Sequence, residues 1–386
     1  MFIELKQGCI SLLQHSNVKV APGRNKLPNN PRNRTAIMSR KQIFKLSFWA
    51  IFFVGLFAFL ILDKQNLLTF RKPKRSKTSN SEAVKNETLS DRDKSMLRYL
   101  LLTQDRPWEP NATEVLQYRA ELGACCNASS HLVLTKRNTP LGSNMKCDGE
   151  NSTIPVEADL LALLPETSPF LDFRYKNCAV VGNGGILRNS CCGKEIDQAD
   201  LVIRFNLPSM NFPEDVGTKT SLVTINPSIL MERFQWLENR RKPFADVLRS
   251  YGDPLFLISG FSFSSGKELS YRTLYTMEDF GLRPQAFFLN PHYLGNLSNY
   301  WRKKGFQPSR LSSGFFFVNV ALEFCQHITL YGFWPFPLDL DGYFVPYHYY
   351  DNTFPKAGVH QMHTEFSHYL SMHIQNVLRL RLGNCQ

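Results

Sequence analysis

Hydrophobic residues divide the chain into three parts. Residues 46–62, LSFWAIFFVGLFAFLIL, form a run of seventeen positions without a charged side chain. The segments on either side, residues 1–45 and 63–95, are polar and basic, and such compositions bury too little apolar surface to fold. From Met96 onward, short apolar runs alternate with polar and glycine- or proline-containing segments, which is typical of a globular domain. We therefore expect one folded domain over residues 96–386.

One stretch of this domain predicts a strand, a tight loop, a helix and a second strand in succession. The apolar run Cys178–Val181 has strand length, stops at the turn-forming residues 182–185, and is followed by the apolar run Leu201–Arg204. Open parallel sheets bind nucleotides beyond the carboxyl ends of their strands, where glycines let the backbone approach a ligand. The unit predicts an α/β fold with a mostly parallel central sheet. Because glycine turns after strands are also common without a ligand, a site here requires partners elsewhere in the chain.

A second stretch combines polar residues with an apolar helix. Ser312, Ser313 and Gly314 precede FFFVNVALEFCQ, which has the length and the apolar face of a helix. Serines in this position are N-caps first of all. They also bring hydroxyl groups and backbone amides to a helix end where the dipole favours an anion. The sequence therefore predicts a capped helix, with a phosphate site as the second interpretation.

The net charge of +12 belongs to the N-terminal part of the chain. Residues 1–100 hold 19 Lys/Arg and 6 Asp/Glu, a net charge of +13, whereas the other 286 residues hold 26 and 27, a net charge of −1. The predicted domain is therefore nearly neutral overall. This charge distribution does not favour nucleic acid as a partner.

The seventeen-residue apolar run is predicted to be a single membrane span. It is at the short end of the spanning range, which suits the thinner bilayers of the secretory pathway. The alternatives are a buried core helix and a signal-peptide core, but no small-residue cleavage site follows, and Asp63-Lys64 ends the run.

Sequons and cysteines orient this span, because basic residues lie on both of its sides. Eight of the nine cysteines lie C-terminal to it, which favours an oxidising lumen for that side. We expect a cytoplasmic tail over residues 1–45, starting at Met1 or Met38, and a lumenal stem over residues 63–95. The expected glycosylation sites on the lumenal side are the N-x-S/T acceptors Asn86, Asn111, Asn127, Asn151 and Asn296.

Four motifs in the domain together resemble those of the animal sialyltransferases. Residues 178–206 resemble the large sialyl motif of that family, and residues 310–336, with SSG and GFWPF, resemble the small one. The sequence HYYD from His348 resembles the third motif, and His360 with Glu365 resembles the very small motif. The four occur in the order and spacing of the family, and the resemblance covers the whole predicted domain.

This resemblance implies a fold and an activity. Family members have one GT-A-like, variant Rossmann-type domain and transfer sialic acid from CMP-sialic acid with inversion, without a metal ion or other cofactor. The HYYD and GFWPF sequences, the Cys125-Cys126 pair and Cys385 resemble the α2,8 branch, which adds sialic acid to a terminal sialic acid of glycolipid or glycoprotein glycans. We therefore expect an inverting α2,8-sialyltransferase, a single-pass type II protein of the Golgi membrane. A homodimer stays open.

The resemblance also implies roles for individual residues. His360 corresponds to the catalytic base, which takes the proton of the acceptor hydroxyl, and His348 corresponds to a histidine that contacts the departing phosphate. The positions that correspond to donor-binding residues are Asn183, Gly184, Asn206, Ser312, Ser313, Gly314 and Trp334.

Disulfide bonds follow from the same resemblance. The family pattern pairs Cys178 with Cys325, and Cys192 with Cys385, although the neighbouring Cys191 could replace Cys192. The pairing of the remaining cysteines stays open; these are Cys125, Cys126, Cys147 and Cys191.

Other features compete with these predictions or restrict them. Asp339-Leu340-Asp341 spells D-x-D, a metal-binding pattern of other glycosyltransferases, but we interpret it as an ordinary loop and expect no metal site. Phe205 replaces a usual cysteine, and His363 replaces a usual proline. Residues 143–177 have a net charge of −3, which favours one or a few additions over a long polymer. The alternatives are α2,3 or α2,6 linkage, or a Golgi homologue that binds glycans with little catalysis.

Overall fold

The computed structural model describes residues 91–102, 107–147, 151–282, 285–352 and 360–385. Within these ranges no helix is long and apolar enough to cross a membrane. The predicted tail and anchor, the stem up to residue 90 and the sequon at Asn86 lie outside the described residues. The first described helix begins at Asp91, slightly before the predicted start of the domain.

A seven-stranded parallel sheet with the order β7-β6-β5-β4-β3-β8-β9 is the centre of the domain. The mostly parallel sheet predicted from the sequence is thus confirmed. All four residues of β4 and of β5 are buried, as expected for parallel strands that are covered on both faces. A separate antiparallel pair is formed by β1 and β2. The strands are β1 Asn144–Lys146, β2 Thr153–Pro155, β3 Tyr175–Val181, β4 Leu201–Arg204, β5 Leu222–Ile225, β6 Leu255–Ile258, β7 Gln285–Phe288, β8 Cys325–Tyr331 and β9 Arg379–Arg381.

Helices alternate with these strands along the chain. In the described residues they are α1 Asp91–Leu102, α2 Ala112–Cys125, α3 Ala128–His131, α4 Ala158–Ala162, α5 Gly193–Asp197, α6 Pro213–Val216, α7 Pro227–Glu232, α8 Arg241–Arg249, α9 Gly266–Asp279, α10 Pro291–Lys303, α11 Ser313–Phe324 and α12 Met362–Ile374. Short 3-10 turns cover Gly185–Leu187, Gln235–Leu237 and Gly260–Ser262.

Helix α11 lies in the core of the domain. Every residue from Phe315 to Phe324 is buried, which matches a sequence that is apolar on all sides of the helix. Its single amide side chain is satisfied, because Asn319 Oδ1 accepts from Trp301 Nε1 at 3.0 Å and Asn319 Nδ2 donates to the Phe315 carbonyl at 2.7 Å. The helix continues directly into β8. Its N-terminus is therefore fixed relative to the sheet.

The structure contains both disulfides that the resemblance implies. Cys178 bonds Cys325 and links β3 to β8, and Cys192 bonds Cys385 and links the start of α5 to the C-terminal segment. The alternative pairing of Cys191 with Cys385 is therefore wrong. Cys125 bonds its neighbour Cys126, and Cys147 is a buried free thiol.

The predicted glycosylation sites differ in exposure. The side chains of Asn111 and Asn127 both cap helices, and these residues and Asn151 are exposed. Asn296 is half-buried on α10. Three of the acceptor asparagines are therefore accessible on the surface of the described domain.

Candidate active site

Three asparagines follow three neighbouring parallel strands. Asn183 comes shortly after β3, Asn206 shortly after β4, and Asn226 directly after β5. Because the carboxyl ends of parallel strands meet at one edge of the sheet, these side chains converge there. All three line one cavity of about 640 Å³.

Every catalytic and donor-binding residue assigned from the sequence lines this cavity. They come from loops after β3, β4 and β8, from the start of α11 and from the segment before α12. The residues are Asn183, Gly184, Asn206, Ser312, Ser313, Gly314, Trp334, His348 and His360. A concave site of this size with convergent polar groups is typical of a small-molecule binding site.

The glycine loop after β3 packs closely against the end of β8. Gly184 donates its backbone N–H to the Gly332 carbonyl at 3.0 Å. A Cβ atom on Gly184 would lie 2.4 Å from that carbonyl oxygen, a distance that would force the two loops apart. Glycine at this position therefore allows the close approach that shapes the cavity floor.

Asn183 has one oxygen without a partner. Its Nδ2 donates to the Phe205 carbonyl at 3.0 Å, which fixes the orientation of the amide. Its Oδ1 is buried and has no hydrogen-bond partner. Because an unsatisfied buried acceptor is costly, such an atom in a cavity indicates a ligand donor group.

Asn206 and Asn226 form a hydrogen-bonded chain across the cavity wall. Asn206 Oδ1 accepts from the Asn226 backbone N–H at 3.2 Å, and Asn226 Nδ2 donates to Ser313 Oγ at 3.1 Å. Ser259 Oγ donates to Asn226 Oδ1 at 3.0 Å. Residues after β4, β5 and β6 and the first residue of α11 are therefore connected through Asn226.

Ser312 caps α11, as predicted, and also contacts a buried carboxyl group. Its Oγ accepts from the Phe315 backbone N–H at 3.1 Å. Its backbone N–H donates to Glu365 Oε1 at 2.7 Å, and its hydroxyl donates to Glu365 Oε2. Burial raises the pKa of Glu365 to about 7, although both hydrogen bonds from Ser312 oppose the rise. The start of α11 is thereby attached to α12.

His360 is held in one tautomer by the main chain. Its Nδ1 lies 3.2 Å from the Arg310 carbonyl oxygen. A carbonyl can only accept, so Nδ1 carries the proton and Nε2 is left as an acceptor. Desolvation lowers the pKa of His360, and the charge of Arg310 lowers it further, whereas the Arg310 carbonyl opposes this. The ring is therefore suited to take a proton near neutral pH.

The third motif is attached to the glycine loop. The Tyr349 N–H donates to the Asn183 carbonyl at 2.9 Å, and His348 forms an antiparallel bridge with Gly184. His348 Nδ1 lies 2.8 Å from Asp351 Oδ1, and its ring stacks on Tyr350 with a centroid distance of 5.0 Å. His348 is thus positioned from two sides.

The D-x-D sequence organises a turn. Asp339 Oδ1 accepts backbone N–H groups of Asp341 at 3.0 Å and of Tyr343 at 2.8 Å. In the described part of the chain no group of three or more His, Cys, Asp or Glu side chains could hold a metal ion.

The departures from the family motifs have packing roles. Phe205, in place of the usual cysteine, is buried against Phe317 with a centroid distance of 5.9 Å. His363, in place of the usual proline, contacts Phe336 with a centroid distance of 5.1 Å. Phe205 lines the cavity, so its substitution removes a thiol from the wall, whereas the neighbouring Asn206 is kept.

Sequence reasoning missed several residues of the cavity, Asn226 and Tyr347 among them, and the role of Glu365. Asn226 and Tyr347 both line the cavity, and Glu365 acts as the partner of Ser312. The position of Asn226, directly after a strand like those of Asn183 and Asn206, was a usable signal. No sequence signal pointed to the contact of Glu365 with Ser312, because 53 residues separate the two in the chain.

An asparagine-lined edge of a parallel sheet with a helix N-terminus beside it is typical of nucleotide-binding sites. The ring of His360 adds a nitrogen that can accept a proton. Residues 126–377 match the model of glycosyltransferase family 29, the sialyltransferases. The match covers more than half of the chain. The chain therefore belongs to this family.

Several similar members of the family are α2,8-sialyltransferases. The chain is 40% identical over 308 residues to alpha-2,8-sialyltransferase 8F of Homo sapiens, covering 79% of this chain and 77% of that protein. It is 44% identical over 282 residues to an alpha-N-acetylneuraminide alpha-2,8-sialyltransferase of Xenopus tropicalis, covering 72% and 81%. A crystal structure of a mammalian sialyltransferase with Gal-beta-1-3GalNAc-ortho-nitrophenol is 19% identical, with a TM-score of 0.40 and coverage of 77% and 88%.

Proposed function

We propose that this domain is a GT-A-like, variant Rossmann-type catalytic domain. It transfers sialic acid from CMP-sialic acid to a terminal sialic acid of a glycan in α2,8 linkage. The observation that carries the proposal is one cavity that contains the unpartnered Asn183 oxygen, the N-terminus of α11 and the free nitrogen of His360. Membership of the sialyltransferase family and the similarity to α2,8-sialyltransferases support the same conclusion.

The base of the reaction is His360. The 8-hydroxyl oxygen of the acceptor attacks the anomeric carbon of the donor sugar, and its proton passes to Nε2 of His360. The bond from the anomeric carbon to the CMP phosphate breaks, and its electron pair leaves with the phosphate. Attack opposite the leaving group inverts the anomeric configuration. Positioning of the acceptor hydroxyl and removal of its proton are the main demands on the protein.

The leaving phosphate is stabilised from two directions. Backbone N–H groups at the start of α11, next to Ser313 and Gly314, form the positive end of the helix dipole and bind the phosphate. In its imidazolium form, with both ring nitrogens protonated, His348 donates from Nδ1 to Asp351 and from Nε2 to the phosphate on the opposite side. Asn183 Oδ1 accepts from a donor group of the nucleotide or its ribose. The chain uses no metal ion in this scheme, since hydrogen bonds and the helix end stabilise the charge.

The acceptor is a sialylated glycolipid or glycoprotein glycan, to which one or a few residues are added. The test is transfer of labelled sialic acid from CMP-sialic acid to a panel of α2,3-sialylated glycolipids and glycoproteins with a chelator present. Linkage analysis of an α2,8-disialyl product is the expected result. A product with an α2,3 or α2,6 linkage would contradict the proposed α2,8 linkage. Absence of transfer by protein that still binds CMP would favour a glycan-binding homologue.

We also propose that the protein is a type II protein of the Golgi membrane with a lumenal domain. Exposed acceptor asparagines and disulfide bonds support this location. We expect that treatment of the intact protein with an N-glycosidase removes N-glycans and lowers its mass. We also expect the protein to co-localise with a Golgi marker. Unmodified protein in the cytosol would contradict the proposal.

A further inference from the structure

The cavity that contains Asn183, Ser313 and His360 is called the donor cavity below. A second cavity, of about 680 Å³, shares no lining residue with it. Its walls come from the loop of residues 130–139, from the β1 region, from residues 167–171, and from Asn290 and His292 at the start of α10. No step of the reaction described above uses this cavity.

One wall of this second cavity, the loop of residues 130–139, is held in shape by the side chain of Asn138. Its Oδ1 accepts from the Thr135 N–H at 2.9 Å and from Thr139 Oγ1 at 2.9 Å. Its Nδ2 donates to the carbonyls of Ser130 and Val133, at 3.2 and 2.9 Å. The loop is therefore shaped by its own hydrogen bonds and is preorganised for a ligand.

The cavity has a positive lining. Arg137 and Lys146 line it together with His131 and His292, and among the described residues no aspartate or glutamate lines it. Neither Arg137 nor Lys146 forms an ion pair with any residue that the structure describes.

Three acidic residues of the neighbouring segments pair with lysines outside the cavity. Glu166 pairs with Lys136 at 2.5 Å, and Glu157 and Asp159 both contact Lys267, at 2.8 and 3.5 Å. The charge of the lining therefore differs in sign from the net charge of residues 143–177. Such a lining favours an anionic ligand.

The second cavity lies along the same edge of the sheet as the donor cavity. Asn290 follows β7, and the residues of the donor cavity follow β3, β4 and β5. In the sheet order, β7 is two strands from β5. At about 4.8 Å between neighbouring strands, the ends of β5 and β7 are about 10 Å apart. The walls of the two cavities at Asn226 and Asn290 are therefore within the reach of a short oligosaccharide.

We propose that the second cavity binds an additional sialic acid residue of the acceptor glycan while the terminal sialic acid lies at His360. The inference rests on the proposed α2,8-sialyltransferase function. The carboxylate of that sugar contacts Arg137 and Lys146, and its hydroxyl groups meet polar side chains such as Ser143 and Thr167. The enzyme therefore binds disialylated acceptors more tightly than monosialylated ones.

The direct test is binding of an α2,8-linked sialic acid trimer to the full-length protein saturated with CMP, measured by calorimetry. We expect Arg137→Ala/Lys146→Ala to weaken binding about tenfold, because two charge-assisted contacts are lost. The matched control, Lys176→Ala/Lys303→Ala, removes the same charge from exposed positions outside the cavity. It is expected to bind like the wild type. The trimer with its carboxylates esterified should bind equally weakly to all three proteins.

A second variant fills the cavity without changing its charge. Thr167→Trp places a large side chain at the exposed rim. We expect a higher KM for a disialylated acceptor, and an unchanged kcat/KM for a monosialylated acceptor. Equal trimer binding by the wild type and both cavity variants would overturn the proposal. An equal loss of kcat/KM with the disialylated and the monosialylated acceptor in Thr167→Trp would also overturn it. Failure of the wild type to transfer to any acceptor would instead contradict the proposed function.

Discussion

At the scale of single residues, the base and its hydrogen bond decide the chemistry. His360→Ala is expected to lower kcat by about 10² to 10⁴, the usual contribution of a general base, while CMP affinity stays unchanged. Kinetics and CMP titration measure the two effects. His327→Ala is the control, because His327 lies on β8 near its amino end and contacts Asn177. Transfer near the wild-type rate by His360→Ala would contradict the base assignment.

The same residue predicts a pH dependence. His360 must be neutral to accept a proton, so kcat/KM falls as pH decreases through its pKa. Desolvation and the charge of Arg310 lower this pKa below the ordinary histidine value. We therefore expect the acidic limb of the pH profile below 6.5. A limb centred above that value would show that a different group titrates.

Asn183 predicts a loss of donor affinity. Asn183→Leu removes the buried oxygen that has no partner, together with the bond from Nδ2 to Phe205. CMP affinity is expected to fall about 10- to 100-fold, as a buried hydrogen bond contributes about 1–3 kcal/mol. Calorimetric titration with CMP measures it, and thermal unfolding verifies the fold. Unchanged CMP binding would mean that the oxygen faces no ligand group.

At the scale of elements, the attachment of α11 to α12 through Ser312 and Glu365 predicts a dependence of stability on pH. Burial raises the pKa of Glu365 from 4.5 to about 7. Between these values the folded state binds more protons than the unfolded state, so stability is greatest below 4.5 and falls as pH rises to 7. The contribution is about 3 kcal/mol.

Glu365→Gln tests this contribution. The amide keeps an acceptor for the Ser312 N–H but cannot ionise, so the loss of stability between pH 4.5 and 7 is expected to disappear. Chemical unfolding at several pH values measures it. Glu268→Gln, at an exposed position, is the control and keeps the wild-type dependence. If the free energy of unfolding fell equally with rising pH in the wild type, Glu365→Gln and Glu268→Gln, groups other than Glu365 would cause the effect.

At the scale of the whole molecule, the bond from Cys192 to Cys385 closes a loop of most of the domain. The two cysteines are 193 residues apart. Replacing both with serine is expected to reduce the free energy of unfolding by about 2–5 kcal/mol. Urea unfolding measures the change, and the single variant Cys147→Ser, at a residue without a disulfide, is the control. Equal stability of the double variant and the wild type would contradict this role.

The family motifs and the local elements could be read from the sequence. Leu201–Arg204 was predicted as a strand and is β4, and Ser312 was predicted as an N-cap and is one. These predictions succeed because strand burial and helix capping depend on residues close in the chain. The disulfides of Cys178 and Cys192 could be assigned only through resemblance, since sequence alone leaves connectivity open.

The sequence by itself determined the parallel α/β class and the cap of α11, and its resemblance to the family identified nine of the residues that line the donor cavity. Only the tertiary structure decided that Asn226 joins Asn206 to Ser313, that Glu365 holds Ser312, and that positive side chains line a second cavity. Those contacts depend on strand order and helix packing, which bring together residues far apart in the chain. Strand formation and helix capping depend on residues close in the chain, whereas the convergence of distant side chains depends on the packed sheet.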